Sequence, residues 1–377
     1  MIPFNRPILP DRAADYMLEA FRSGKVSGDG TFSRRCEAYF QERYRASRCL
    51  MTTSCTDALE LAAILSRVGP GDEVILPSFT FVSTANAFAL RGAKLVFADS
   101  LPEHPNLDPA QVESLITPRT RVIVPVHYAG VSVDMDPILA FAESRDIVVV
   151  EDAAQAVEAT YKGRQLGLLG QLGAFSFHET KNIHCGEGGL IAIRDQALAA
   201  RAEVIREKGT NRSAFFRGEV DKYGWVDIGS SFLPSDILAA ILWAQLEHLE
   251  QICRHRLELW NRYQEELMDL ERAGHAALPH VPGFAGHNGH AFYLILRDES
   301  TRARLISHLK ARNIMAVFHY QSLHLSRFFE DKHDGRNLPN SDRYSDCLLR
   351  LPLFHDLTGG EQGRVIEAVL DFFGGGR

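Results

Sequence analysis

The sequence predicts an α/β protein with a large, mainly parallel sheet domain followed by a smaller α/β domain. First, short apolar segments alternate with helical patterns between residues 48 and 151, as in sheets built from right-handed crossovers. Second, a chain of 377 residues is too long for one simple core. Third, the helical register changes near Gln251. We therefore expect a large domain over residues 1–250 and a small domain over residues 251–377.

The first half of the chain supplies most of the expected sheet. An amphipathic helix is expected over residues 11–22, and a flexible loop rich in Ser and Gly over 23–30. The hydroxyls of Ser54 and Thr56 indicate a helix start, because such side chains cap the first turn. Apolar runs predict strands at 48–52, 73–76, 94–98, 121–126 and 147–151. Helical patterns between them predict helices at 84–90, 109–115 and 135–144.

The second half continues the alternation and then becomes mainly helical. Apolar runs predict strands at 174–177, 190–193 and 291–296. Helices are expected at 197–208, 235–270, 302–312 and 363–373. The long stretch 235–270 is expected to be one helix, or two with a break near Gln251.

Composition excludes several classes of function. The net charge is −7 and no Lys/Arg cluster stands out, which disfavours a nucleic-acid partner. The six cysteines lack C-x-x-C spacing, which disfavours a zinc ribbon or a disulfide frame and suits a reducing compartment. No apolar signal core opens the chain and no apolar run reaches membrane-spanning length. We therefore expect a cytoplasmic protein without a membrane partner.

Three residues together match the needs of pyridoxal 5'-phosphate, a cofactor that acts as an electron sink. Lys181 supplies an amine for a Schiff base, and burial would make that amine easier to deprotonate. Asp152 follows the strand 147–151 and can keep the pyridine nitrogen protonated, since the carboxyl ends of parallel strands face the ligand crevice. Gln155 could contact the ring hydroxyl. Singly, a lysine is usually a surface charge and an acid after a strand is usually a helix cap.

The cofactor phosphate needs hydrogen-bond donors. Cys55 and Thr56 lie at a predicted helix start, where free amides and the helix dipole favour an anion. Ser176 could add a hydroxyl. Phe81 could stack on the pyridine face, although an aromatic residue at such a position is more often part of the core.

Five segments in order resemble the DegT/DnrJ/StrS family of sugar aminotransferases. They are residues 53–56, 77–81, 125–130, 151–155 and 176–189. The resemblance implies the aspartate aminotransferase fold, which is fold type I of the pyridoxal phosphate enzymes. It also implies Lys181 as the Schiff-base lysine and proton shuttle, Asp152 as the pyridinium partner and Gln155 as the ring-hydroxyl contact. The implied phosphate ligands are Cys55, Thr56 and Ser176, and Phe81 is the implied ring contact.

The same resemblance implies substrates and an assembly. It implies L-glutamate as the amino donor, a nucleotide-linked keto-sugar as the acceptor, and a homodimer that shares its active sites. Segments 178–182, 206–213 and 316–320 resemble members that act at C4 of dTDP-4-keto-6-deoxyglucose. His319 and Tyr320 would border the sugar pocket, because the family has a His-Tyr pair there.

One segment departs from the family pattern. Many relatives carry Gly-x-Asn-x-Arg before the long helix, but this chain has Ser231 and Leu233 at those two positions. Ser231 could still reach the other subunit's phosphate with one hydrogen bond, whereas leucine cannot hold a carboxylate. Arg212 is a candidate replacement for the missing arginine.

Several alternatives stay open at this stage. A transaminase making an equatorial C4 amine or a C3 amine fits the same motifs. A sugar dehydratase of the same fold is disfavoured, because those relatives have histidine in place of Lys181. A silent regulatory protein is disfavoured by the complete set of Lys181, Asp152 and Gln155. No dinucleotide-binding or P-loop motif occurs, and the His pairs at 287/290 and 319/324 lack a third metal ligand at useful spacing.

Overall fold

A seven-stranded sheet forms the larger part of the molecule. The computed structural model describes residues 1–374. Nine strands lie in its first half: β1 (Arg48–Thr52), β2 (Glu73–Pro77), β3 (Lys94–Ala98), β4 (Thr120–Ile123), β5 (Val148–Asp152), β6 (Thr160–Tyr161), β7 (Arg164–Gln165), β8 (Leu172–Ser176) and β9 (Gly189–Ile193). The large sheet has the order β1-β9-β8-β5-β4-β2-β3. Its strands are parallel from β3 to β8, while β9 is antiparallel to both neighbours, so the predicted mainly parallel sheet is confirmed.

Helices cover both faces of this sheet. They are α1 (Ala13–Arg22), α2 (Thr31–Tyr44), α3 (Cys55–Leu65), α4 (Val82–Ala89), α5 (Pro109–Leu115), α6 (Met135–Ser144), α7 (Gln196–Arg206), α8 (Arg212–Phe216) and α9 (Asp236–Leu246). Helix α3 packs on β8 and β9 through buried apolar residues, and α2 packs on β1 and α9. Most of these helices were predicted, but α2 and the short α8 were not.

Helix α2 has few of the local signals that indicate a helix. Its N-cap, Gly30, has no side chain to accept a hydrogen bond. The carboxylate of Asp236, at the start of α9, caps it instead, accepting from the amides of Phe32 (3.2 Å) and Ser33 (2.7 Å). This cap comes from a residue about 200 positions away in the chain, so it cannot be recognised from the local sequence.

A smaller lobe follows the long helix α10 (Leu249–Arg272). Its elements are β10 (Ala276–Ala277), β11 (Ala285–Gly286), β12 (Tyr293–Leu296), α11 (Glu299–Ala311), β13 (Val317–Phe318), α12 (Pro339–Cys347), β14 (Leu348–Arg350) and α13 (Gly359–Gly374). Its four-stranded sheet has the order β10-β12-β14-β13, and β11 pairs instead with β6 of the larger lobe. The predicted long helix is two helices, with the break at Glu247–His248 rather than near Gln251.

The two lobes meet through the amino-terminal segment as well as through α10. Ile2 pairs with Ile314 of the smaller lobe, and the Asn5 side-chain amide donates to the Glu179 carbonyl beside Lys181 (3.0 Å). The proposed domain division at residues 250/251 stays a prediction, and residues 375–377 of the proposed small domain lie outside the described residues. Within residues 1–374, no helix is both long and apolar enough to cross a membrane.

Candidate active site

The carboxyl ends of the parallel strands open into one central cavity of about 560 Å³. Asp152 is the last residue of β5 and Ser176 the last of β8, so the parallel register brings them to the same edge. The structure brings nine of the predicted site residues to this cavity: Cys55, Thr56, Phe81, Asp152, Gln155, Ser176, Lys181, His319 and Tyr320. Two predicted residues, Arg212 and Ser231, lie elsewhere.

Lys181 lies in the tight turn that follows β8. Its amide donates to the His178 carbonyl (2.9 Å), and its side chain reaches the cavity. Burial lowers the pKa of the Lys181 ammonium, and the charge of Arg350 lowers it further, against the raising effect of Cys55 and Asp152. The amine therefore gives up its proton more easily than an exposed lysine does, which a nucleophile requires.

The carboxylate of Asp152 is held from two sides. Its Oδ2 accepts from the Thr84 hydroxyl (2.7 Å) and its Oδ1 from the Ala154 amide (3.1 Å). The side chain is buried but lines the cavity, so its position is fixed while lone pairs remain for a ligand. Sequence reasoning missed Thr84, which acts on the site only through Asp152.

Gln155 is oriented by one strong contact. Its Oε1 accepts from the Ala129 amide (2.6 Å), so its Nε2 must be the donor toward the cavity. There Nε2 donates to the Tyr320 hydroxyl (3.1 Å), which ties the larger lobe to the smaller one. The ring of Tyr320 lies 6.0 Å from that of Phe81, and Phe81 is 54% exposed at the start of α4.

The amino-terminal end of α3 lines one part of the cavity. Ser54 caps the helix by accepting from the Asp57 amide (3.1 Å), and Thr56 donates to the Ser83 hydroxyl (2.8 Å). Within residues 1–374, the amides of Cys55 and Thr56 have no hydrogen-bond acceptor. Two open amides at a helix start, with the Ser176 hydroxyl lining the same cavity, fit a phosphate group.

Gly189 allows this helix start to lie close to the sheet. A Cβ at this position would lie 2.3 Å from the Ser54 carbonyl carbon and 2.5 Å from the Cys55 nitrogen. Any side chain would therefore push the α3 amides away from β9. The amine, the carboxylate and this phosphate-sized end together fit pyridoxal 5'-phosphate.

The structure adds Arg350, which sequence reasoning missed. It ends β14, is 8% exposed and lines the central cavity. Its Nη1 donates to His319 Nε2 (3.2 Å), while His319 Nδ1 lies 3.0 Å from the Tyr128 hydroxyl. Burial lowers the pKa of His319 well below its usual value, with the charge of Arg350 adding to the effect, so the imidazole is neutral. The available signal was a lone arginine after the apolar pair Leu348-Leu349.

A second cavity of about 720 Å³ contains the residues of the departing segment. Arg212, Ser231 and Leu233 all line it, away from Lys181 of the same chain. Arg212 Nη1 already pairs with Glu207 Oε1 (3.2 Å), and its guanidinium lies over Phe216. The predicted use of Arg212 at the donor site therefore has no support within one chain and would require a second subunit.

Comparison with known proteins assigns the fold and the family. The profile of the DegT/DnrJ/EryC1/StrS aminotransferase family matches residues 8–370. The aminotransferase TlmJ from Streptoalloteichus hindustanus is 31% identical, over 100% of this chain and 99% of its own, with a TM-score of 0.91. DesV from S. venezuelae is 32% identical over 96% and 94%, with a TM-score of 0.87. A protein described as a sugar aminotransferase from Streptococcus pneumoniae, 24% identical over 99% of both chains, shares the fold with a TM-score of 0.91.

These matches and the geometry of the cavity indicate the same fold and the same cofactor. The fold is type I of the pyridoxal phosphate enzymes, as predicted, and the cofactor is pyridoxal 5'-phosphate. The chain belongs to the DegT/DnrJ/EryC1/StrS aminotransferase family.

Proposed function

We propose that this enzyme moves the amino group of L-glutamate to C4 of dTDP-4-keto-6-deoxyglucose, giving dTDP-4-amino-4,6-dideoxygalactose. The arrangement that carries the proposal is the side chain of Lys181, which lines the same cavity as Asp152 and Gln155. The choice of sugar rests on segments 178–182, 206–213 and 316–320, which resemble dTDP-4-amino-4,6-dideoxygalactose transaminase. Such an amino sugar would serve a surface polysaccharide such as enterobacterial common antigen.

The residues of the cavity divide the work of the reaction. Bound pyridoxal 5'-phosphate supplies an electron sink for the carbon that loses its proton. Lys181 Nζ would accept the proton from the donor's α-carbon and later return one to C4 of the sugar. Asp152, fixed by Thr84 and the Ala154 amide, would hold a proton on the pyridine nitrogen. The amides of Cys55 and Thr56, with the Ser176 hydroxyl, would hold the phosphate.

The rim of the cavity would position the sugar. Phe81 would stack on the cofactor ring, and Gln155 Nε2 would donate to the ring hydroxyl. His319 and Tyr320 line the cavity from the smaller lobe. The two ring nitrogens of His319 already contact Arg350 and the Tyr128 hydroxyl, so this neutral imidazole would border the sugar with its ring and would add no second charge beside Arg350.

A homodimer is part of the proposal. The segment 216–228 exposes five large apolar side chains, and Phe216 among them lines the second cavity. The five are Phe216, Tyr223, Trp225, Val226 and Ile228, and exposed apolar surface of this kind is typical of an interface. In a dimer, Ser231 would approach the phosphate of the other subunit. A cytoplasmic location is also proposed, and it is supported by six cysteines that are all free thiols in the structure.

The test is a transamination assay with a defined product. Wild-type enzyme incubated with L-glutamate and dTDP-4-keto-6-deoxyglucose should give an axial C4 amine, identified by NMR. Lys181→Ala should lose turnover by at least about 10⁴-fold, as expected when a proton shuttle and nucleophile is removed. Borohydride reduction and peptide mapping should place the cofactor on Lys181. A label elsewhere, or substantial turnover by Lys181→Ala, would contradict the assignment.

The same assay separates the alternatives. An equatorial C4 amine or a C3 amine would identify a different keto-sugar transaminase. A deoxygenated sugar without an amine would identify a dehydratase, and no product with no spectral response to glutamate would favour a non-catalytic protein.

A further inference from the structure

The amino donor needs an anchor for its carboxylate, and the usual arginine position of this family holds Leu233. Three arginines of the described chain are almost completely buried, and their partners differ. Arg206 forms ion pairs with Glu37 and Asp29, both at 2.7 Å. Arg256 and Arg350 have no carboxylate partner among residues 1–374. Since an uncompensated buried charge is expensive, each of these two requires a separate explanation.

Three of the five N–H groups of Arg256 donate to backbone carbonyls. Its Nε donates to the Gly289 carbonyl (3.3 Å), and its Nη2 donates to the carbonyls of His290 (2.8 Å) and Leu353 (3.2 Å). It does not line the central cavity. Arg256 therefore joins α10 to the loops around it and has a structural role.

Arg350 presents the opposite case. Of its five N–H groups, one donates to His319 Nε2, and the buried Nε has no partner among the described residues. Its guanidinium lies over the ring of Phe4 (4.6 Å), which supports one face without using an N–H group. Its carbon stem is fixed by β14, the strand paired with both β12 and β13. The result is a rigid, incompletely satisfied guanidinium at the cavity wall.

His319 holds the guanidinium of Arg350 in its orientation. Because a guanidinium can only donate, Nε2 of the neutral His319 must accept and Nδ1 must carry the proton. Nδ1 then donates to the Tyr128 hydroxyl, 3.0 Å away. His319 and Tyr128 thus orient Arg350 without neutralising its charge.

We propose that Arg350 binds the carboxylate of the amino donor. It would replace the arginine that many relatives have at the position of Leu233. A guanidinium fork matches a carboxylate with two parallel hydrogen bonds. The donor's carboxylate is one carbon away from its amine, so its anchor must lie close to Lys181. Arg350 meets this requirement, because its side chain and that of Lys181 line the same central cavity. This inference rests on the proposed aminotransferase function.

The diphosphate of the sugar nucleotide is the competing ligand for the same fork. It is several bonds from the reacting C4 carbon, so it would lie farther from Lys181 than an amino-acid carboxylate. The two ligands act in separate half-reactions, which can therefore be measured separately.

The experiment compares the half-reactions in Arg350→Met, Arg350→Lys and a control. In Arg350→Met, the rate constant kcat/KM for glutamate with the pyridoxal form should fall about 100-fold or more. The reaction of the pyridoxamine form with the keto-sugar should change less than about 3-fold. Arg350→Lys keeps the charge but not the fork, so it should lose about 10-fold with glutamate only. Arg297→Gln, an exposed surface change in the same lobe, should match wild type.

Calorimetry with succinate gives a second readout that does not depend on turnover. Succinate should bind the wild-type holoenzyme and should bind Arg350→Met at least about 30-fold more weakly. A selective loss in the keto-sugar half-reaction would overturn the proposal in favour of the diphosphate. An equal loss in both half-reactions, or unchanged succinate binding, would overturn it in favour of a structural role. Wild-type enzyme that binds succinate but does not react with glutamate would contradict the proposed function and not the anchor.

Discussion

Replacing Gly189 with alanine tests whether the start of α3 holds the cofactor phosphate. The new Cβ would lie 2.3–2.5 Å from backbone atoms of Ser54 and Cys55, and backbone cannot move away by changing a rotamer. Gly189 is itself fixed in β9 by pairing with Thr52 and Ser176. Reaching an ordinary contact distance requires a separation of about 1 Å between α3 and β9. A hydrogen bond stretched by that amount is no longer formed.

The expected loss follows from this displacement. Losing one charge-assisted hydrogen bond to the phosphate should weaken pyridoxal phosphate binding by about 2 kcal/mol, or about 30-fold. Overpacking should also lower the free energy of unfolding by about 1–3 kcal/mol. Gly283→Ala is the matched control, because a Cβ there has no neighbour within 4 Å and its backbone is not strained, so both quantities should be unchanged.

The assay is a titration of cofactor-free enzyme, followed by visible absorbance, with pyridoxal phosphate and with pyridoxal. Both compounds can react with Lys181, but only the first has a phosphate. Gly189→Ala should weaken binding of pyridoxal phosphate and leave binding of pyridoxal within about 3-fold. Equal losses for both compounds, or no loss for either, would refute a phosphate site at this helix start.

Three further predictions concern stability and assembly. Glu151 is fully buried and accepts hydrogen bonds from three backbone amides and from His127. Glu151→Gln should therefore lower the free energy of unfolding, measured in urea, by about 3 kcal/mol. The control Glu265→Gln, at an exposed position, should lower it by less than about 0.5 kcal/mol. Burial lowers the pKa of His104 to about 3, so between that pH and about 6.5 the unfolded chain binds a proton that the folded chain does not. The free energy of unfolding should therefore fall as the pH drops below about 6.5. The fall measured between pH 7 and pH 5 should be about 2 kcal/mol smaller in His104→Asn. Trp225 is 83% exposed, so Trp225→Glu should weaken self-association in sedimentation measurements, and an unchanged oligomer would place the interface elsewhere.

Elements that depend on local apolar patterns could be predicted from the sequence. Strand β3 and helices α5 and α6 have the expected bounds, because their burial follows their own periodicity. Helix α2 could not be found in this way, since its cap comes from Asp236. The antiparallel direction of β9 could not be predicted from the sequence either, because a fully buried five-residue strand can pair in either direction.

Some residues of the candidate site could likewise be predicted from the sequence, and others could not. Lys181, Asp152 and Gln155 stand in short segments with recognisable spacing, so their shared location could be expected. The open amides at the start of α3 could also be expected, because Ser54 and Thr56 indicate a helix start. Thr84 could not, since it contacts Asp152 across 68 positions of the chain. The use of Arg212 as an anchor stays a prediction: within one chain it pairs with Glu207 in the second cavity, and only a second subunit could bring it to a donor site.

Arg256 and Arg350 show why the sequence alone cannot identify a ligand-binding arginine. Both are nearly completely buried. They differ in the partners of their N–H groups. Those of Arg256 donate to backbone carbonyls, whereas Arg350 lines an open cavity and its Nε has no partner among the described residues. A buried guanidinium with unused donors has a desolvation cost that the folded protein does not recover by itself. That cost is recovered when an anion binds, so the unsatisfied group is itself the argument for a carboxylate at this wall of the cavity.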